Sequence, residues 1–104
     1  MRRGEVWWAE LPPPAGRRPV LLLSRNRAYR ARANVTFALI TRTARGIPTE
    51  VPLGQEDGMP VSCVVNADDI LTAPKSLLAE RITILSLEKM AAVASAVRFA
   101  LHLE

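Results

Sequence analysis

The stretch Arg17-Arg18-Pro19-Val20-Leu21-Leu22-Leu23-Ser24 decides the fold. Four consecutive aliphatics, bounded by Pro19 and by polar Ser24-Arg25-Asn26, read as a strand. Val20 and Leu22 point to one face and Leu21 and Leu23 to the other, so neither face can be wetted without cost and the strand is central. Proline is tolerated at its first position, where no ladder donor is needed. Arg17 and Arg18 then stand at the rim of the fold. Arginine offers a planar fork of donors that matches two phosphate oxygens and keeps its charge at physiological pH. Taken alone, the stretch equally allows both arginines to be a solvated loop end.

Before it, residues 4–11 form a first strand, Gly4-Glu5-Val6-Trp7-Trp8-Ala9-Glu10-Leu11. Its adjacent tryptophans face opposite ways, one to the core and one to a surface or interface where its indole N–H finds a partner. Base stacking is open to the outward one, core or dimer packing being the commoner use. Pro12-Pro13-Pro14-Ala15-Gly16 is a stiff, short connection that presents Arg17 and Arg18 at the mouth of the second strand.

After it, residues 24–34 carry Arg25, Arg27, Arg30 and Arg32 around Tyr29. This most basic window reads as a loop with a helical turn, its arginines available for phosphate beside the Arg17-Arg18 rim or merely solvating the surface. A third strand spans residues 34–43, with Val35, Phe37 and Leu39 on one face and Ala38 and Ile40 on the other, ending at Thr41-Arg42-Thr43. Residues 49–53 make a fourth strand, an edge because of Pro52. A turn over residues 55–60 precedes a fifth strand over 61–65, which leads into Asn66-Ala67-Asp68-Asp69-Ile70. Then come a turn at 72–76, a helical turn at Leu77-Leu78-Ala79 and a short last strand over 81–85.

Ser86 is a good N-cap, and Glu88 in the first turn suits the helix dipole. The helix over residues 87–103 shows two apolar stripes, Met90, Val93, Ala94, Val97 and Leu101 on one side, and Ala92, Ala96, Phe99 and Leu103 opposite. One stripe packs on the sheet. The second needs another cover, which argues for a homodimer. Short strands with polar turns and a closing helix give a mainly β, α+β fold, a small, strongly curved antiparallel barrel.

The chain of 104 residues is one domain, 1–104, with apolar residues at 49%. A single cysteine excludes an internal disulfide framework and fits the cytoplasm, and no apolar run resembles a signal peptide or a membrane span. The net charge of +4 conceals a division: residues 1–45 hold ten arginines against Glu5 and Glu10, a local +8. Such a field attracts polyanions. Asp68 and Asp69 diverge in direction along a strand and have no further acid at matching spacing, so no metal site is read there. Cys63, with valines at 61 and 64, is a small core residue. The lone His102 cannot build a two-histidine or Cys-His site.

Several of these motifs together resemble the PemK/MazF-like toxins of bacterial type II toxin-antitoxin systems. They are Met1-Arg2-Arg3-Gly4-Glu5-Val6-Trp7, Arg18-Pro19-Val20-Leu21-Leu22-Leu23-Ser24, Leu39-Ile40-Thr41, Val64-Val65, and the junction from Arg81-Ile82 to Leu85-Ser86. The opening Arg-Gly-Glu-Val-Trp followed closely by Arg-Pro-Val-Leu is specific in combination, and the short first loop looks most like the actinobacterial branch. The resemblance implies an SH3-like barrel of the CcdB/PemK/MazF type, a homodimer that cuts single-stranded RNA with no cofactor and no metal. It implies Arg18 and Thr41 as the catalytic pair. In the implied reaction the ribose 2′-hydroxyl attacks, leaving a 2′,3′-cyclic phosphate and a 5′-hydroxyl.

Charge and position add Arg3, Arg17, Arg42 and Arg45 as contacts along the RNA backbone. The implied protein partner is a small acidic antitoxin whose disordered tail covers the basic groove. Pro14-Ala15-Gly16-Arg17 stands where many members carry a longer loop with Ser-Glu-Gln, and Ser62-Cys63 and Asp68-Asp69 stand where Asp-Ser and Asp-Gln pairs are frequent, so the cleavage sequence does not carry over. Two other functions fit the same fold: a non-enzymatic poison of DNA gyrase like the CcdB-like relatives, and a plain RNA-binding barrel.

Overall fold

In the computed structural model, which describes residues 1–103, six antiparallel strands form one sheet. The strands are β1 (Glu5–Glu10), β2 (Arg17–Leu22), β3 (Asn34–Thr41), β4 (Glu50–Leu53), β5 (Cys63–Pro74) and β6 (Leu78–Ile84), in the spatial order β4-β5-β3-β2-β1-β6. A four-residue helix α1 (Ala28–Ala31) joins β2 to β3, and α2 (Leu87–Leu101) ends the chain. The order places β2 inside the sheet with both faces covered. Leu21 lies in a cluster with Val6, Ile40, Val65 and the α2 residues Val93 and Ala96, while Val20 and Leu22 join Phe37, Val35 and Tyr29 on the other side.

The strand begins at Arg17, two residues before the proline expected to open it. Pro19 pairs with Trp8 of β1, but β2 meets β3 only at Val20, Leu21 and Leu22. Proline has no N–H to continue that ladder, so the sheet parts between β2 and β3 just where Arg18 and Thr41 stand.

The fifth strand is twelve residues long, not the five expected. The polar stretch into which the expected strand led is a bulge inside it: Leu39 pairs with Asn66 while the preceding Ala38 pairs with Ile70. The extra residues are held by their own side chains. Thr49 Oγ1 donates to Asp68 Oδ2 (2.7 Å), Asn66 Nδ2 to Asp69 Oδ2 (3.0 Å), and the Asp68 N–H to Asn66 Oδ1 (2.9 Å). Bulges of this kind bend a strand and increase its twist, which curls the sheet. Similarly, the helical turn expected at 77–79 is a 3₁₀ turn at Lys75–Leu77, and β6 starts at Leu78.

The curl does not close into a ladder, since β4 and β6 remain edges. A side chain spans part of the gap: Thr83 Oγ1 of β6 donates to the Asp57 carbonyl beyond β4 (3.0 Å). Gly58, next to it, has φ +90°, and a Cβ there would sit 2.3 Å from Thr83 Oγ1. Only glycine combines that backbone with that approach. At the other edge Lys89 Nζ donates to the Pro52 carbonyl (2.8 Å), fastening α2 to β4.

Ser86 caps α2 as its residue type predicts, its hydroxyl accepting the Lys89 N–H at 3.0 Å. The stripe facing the sheet differs from expectation. Ala96, assigned to the outer stripe, is buried beside Val93, and Leu101, assigned to the inner one, is exposed. Positions 93 and 96 are three apart and share a face. Leu87 at 91% exposure and Phe99 at 63% leave the outer side of the helix apolar and uncovered.

Glu5 is the buried acid that ties the amino terminus down. It accepts the Arg2 N–H and Trp7 Nε1–H, both at 3.0 Å, and faces Arg81 Nε at 3.3 Å. Burial pushes its carboxyl up, but the bonds from Trp7 and the Arg2 backbone, with the charges of the amino terminus and Arg81, outweigh this and leave it below its ordinary value. A carboxyl depressed in the folded chain stabilises above its unfolded value, and that contribution is lost as pH falls through the folded one. Glu5→Gln therefore costs about 1–3 kcal/mol at neutral pH, and the gap from wild type closes as pH drops below 4.5. Denaturant midpoints taken across acid pH check this. A gap unchanged in acid would assign the loss to shape instead of charge.

Candidate active site

Arg18 comes from β2 and Thr41 from the last position of β3. Val20 faces Leu39 across the two strands, and carrying that register two positions further sets Arg18 against Thr41. Both line a cavity of about 600 Å³ whose apolar wall includes Trp8, Pro19, Ile40 and Met59. Both also line a pocket of about 160 Å³ with Arg45, Asn66 and Asp69. The Arg18 Nε is buried and has no hydrogen-bond partner among the described residues. A buried donor left unpaired costs about 1–3 kcal/mol and more when charged, and the guanidinium that carries it puts a positive charge on the wall of both hollows. Thr41 Oγ1 accepts the Thr43 N–H at 3.3 Å. That bond holds the oxygen while its own proton stays available to donate.

The remaining arginines divide. Arg42 lines the 600 Å³ cavity and also a neighbouring hollow of about 620 Å³ that reaches Lys89, so it stands between the two. Arg45 shares the smaller pocket with Arg18 and Thr41, its loop pinned by Glu50 Oε1, which accepts the Arg45 and Gly46 N–H groups at 2.8 and 2.9 Å. Arg17 lines the cavity but is engaged: it bonds Glu10, lies 3.8 Å from Glu80, and its guanidinium sits 5.0 Å over the Trp8 ring. Arg3 is not brought to this place. It lies at the opposite end of β2, where Gly4 N–H meets the Leu22 carbonyl, and its side chain bonds the Leu23 carbonyl. The basic window of residues 24–34 follows the same end and so is remote from the Arg18 rim beside which it was expected.

Sequence reasoning missed the carboxylates here. Glu50 and Asp69 both line the small pocket, Asp69 because the bulge turns the Asp68-Asp69 pair aside. Trp8 was legible only as one of two aromatics of opposite facing. Trp7 packs in the second core cluster and donates to Glu5, which leaves Trp8 in the cavity. Cys63 is buried at the junction of the two larger hollows, and burial pushes its thiol up, so it stays protonated. The sole histidine, His102, caps α2 at its C-terminal end and is exposed.

The sequence profile of the PemK-like, MazF-like toxin of type II toxin-antitoxin systems matches residues 2–101. The chain belongs to this family. Among curated PemK/MazF relatives it is 44% identical over 87 residues to the probable endoribonuclease MazF2 of Mycobacterium tuberculosis, covering 83% of each chain. Among solved members of the family it superposes on the Mycobacterium tuberculosis toxin MazF-mt6 with a TM-score of 0.89 at 35% identity, covering 96% of this chain and 98% of that one. A mycobacterial endoribonuclease in complex with its cognate antitoxin gives the same TM-score at 32% identity, over 100% and 97% of the two chains. The curled antiparallel sheet with its C-terminal helix is thus the toxin fold the sequence implied. No helix among the described residues is long and apolar enough to cross a membrane.

Proposed function

We propose that this protein is a ribonuclease toxin that cuts single-stranded RNA without a metal ion, with Arg18 and Thr41 acting on the scissile phosphate. The observation that carries the reading is that Arg18 and Thr41 line one cavity, with the Arg18 Nε buried and lacking a partner among the described residues. A phosphodiester seated in that cavity meets the guanidinium and the hydroxyl together. As the 2′-hydroxyl of the substrate attacks, negative charge grows on the non-bridging oxygens, where a fixed guanidinium and hydroxyl stabilise it most. Proximity of the hydroxyl to its own phosphate makes the step intramolecular. Arg18 is too weak an acid to serve as a general base. It stabilises charge as a hydrogen-bond donor and stays protonated throughout; the proton of the 2′-hydroxyl passes to solvent, and the departing 5′-oxygen takes one from solvent. Arg42 and Arg45 hold flanking phosphates, and Arg17, braced on Trp8, supports the rim. Arg3 has no place in this groove.

The names of the relatives as endoribonucleases support the same reading. The solved complex of one of them with its cognate antitoxin supports an antitoxin partner here, and the positive charge of the groove favours an acidic peptide as that partner. The uncovered outer side of α2, with Leu87 and Phe99, supports a homodimer. The natural place of work is the cytoplasm, where the RNA is.

The test is digestion of a defined RNA pool in excess EDTA, with the ends mapped. Fragments carrying 2′,3′-cyclic phosphate and 5′-hydroxyl ends are expected, and Thr41→Val slows their formation by about a hundredfold. Activity lost to EDTA and restored by magnesium would overturn the mechanism. Growth arrest with intact messenger RNA and trapped gyrase-DNA complexes would replace it with a non-enzymatic poison.

A further inference from the structure

The basic window at the far end of β2 has no role in the groove, yet its charges are left bare. Arg25, Arg27, Arg30 and Arg32 lie within eight residues, and none has an ion-pair partner among the described residues. The segment that carries them is fixed. Ala28 and Tyr29 are buried, Lys75 Nζ donates to the Tyr29 carbonyl at 2.6 Å, and the Lys75 N–H donates to the Ala33 carbonyl at 2.8 Å. Four guanidiniums held this close repel one another, and a polyanion relieves the repulsion while shedding counterions.

Between Arg25 and Arg32 is a pocket of about 150 Å³, floored by Ser24, Asn34, Thr36 and Thr72. A water takes about 30 Å³, so there is room for one phosphate group and a little solvent. The floor is ordered: the Thr36 and Thr72 hydroxyls are bonded at 2.7 Å, and Ser24 Oγ accepts the Thr36 N–H at 2.8 Å. No carboxylate lines the pocket. Burial holds the neighbouring Tyr29 phenol up at about 12, so it adds no negative charge.

We propose that this pocket is a second phosphate site, gripping the RNA backbone several nucleotides away from the bond that is cut; it rests on the ribonuclease reading above. Two planar forks above a ring of hydroxyls and an amide match the several oxygens of a tetrahedral phosphate better than a single peptide carboxylate. Its distance from Arg18, at least the length of β2 or roughly 17 Å at 3.3 Å per residue, means that only longer RNA engages both.

The test uses 2′-fluoro RNAs of mixed sequence, which lack the attacking hydroxyl, in lengths of about 4 and about 16 nucleotides, the span of footprints that small barrels occupy. Fluorescence anisotropy compares the full chain with an Arg25→Ala, Arg32→Ala double variant. The expected result is about tenfold weaker binding of the long RNA, a salt slope lower by about 1.4, and little change for the short one. An Arg25→Lys, Arg32→Lys variant restores the slope because charge is kept. Long-RNA affinity and slope equal to wild type, or equal losses at both lengths, would overturn the proposal. So would weakened binding of an Asp/Glu-rich peptide with RNA binding intact, which would give the pocket to a protein partner. The assay needs no cleavage, so an RNA pool left uncut by wild type would sink the ribonuclease reading without touching this result.

Discussion

Arg18→Ala leaves RNA essentially uncut, slower by about a thousandfold or more, in a protein that folds as well as wild type. The two halves of this result have one cause. Arg18 Nε is buried without a partner among the described residues, so the free chain carries an unsatisfied charged donor. On the proposed mechanism, removing it deletes the group that stabilises the pentavalent phosphate and also removes a penalty from the native state. The melting temperature therefore holds or rises while activity collapses, a trade that strained functional groups often show. Arg18→Lys keeps the charge but loses the fork and retains part of the rate. Single-turnover cleavage with thermal melts on the same samples decides it. A large fall in melting temperature for Arg18→Ala would mean that the side chain is structural and that the site lies elsewhere.

Phe37→Ala removes about 3–5 kcal/mol of stability, lowering the melting temperature by roughly 15–25 °C. Phe37 is the bulkiest of the fully buried side chains among the described residues. It belongs to the cluster on the Val20 and Leu22 face of β2, formed by β1, β2, β3, α1 and the start of β6, which α2 does not cover. No helix can slide in to fill the hole, so the cavity stays open. The same substitution loosens β3 four residues from Thr41, so activity falls with temperature well before the global transition. Urea unfolding with the m value checked gives the number. A loss under about 1 kcal/mol would show that this cluster collapses freely around the gap.

The sequence made β2 legible because two consecutive faces of aliphatic side chains leave no exposed option, and the same logic placed Phe37 and Ile40 on opposite sides of β3. Thr41 could be named only through the family resemblance, since a threonine at the end of an apolar run says little by itself. What stayed hidden depended on long-range pairing. Asn66 to Asp69 look like turn residues, and only the bonds to Thr49 and within the bulge keep them in a strand. Ala96 was misplaced because alanine carries little weight in a helical stripe. The remoteness of Arg25 to Arg32 from Arg18 follows from strand direction, which composition does not encode. The engagement of Arg17 by Glu10 and Trp8 likewise needed the β1–β2 register.

Where Lys89 reaches the Pro52 carbonyl, it takes up an acceptor on an outermost strand whose proline already lacks a donor. A loose segment of a neighbouring molecule drifting against β4 would find neither partner at that position, and end-to-end stacking of molecules into fibres loses its template there. The opposite margin is tied by Thr83 to the Asp57 carbonyl, so each outermost strand has a backbone or side-chain group already engaged that a stacking neighbour would need.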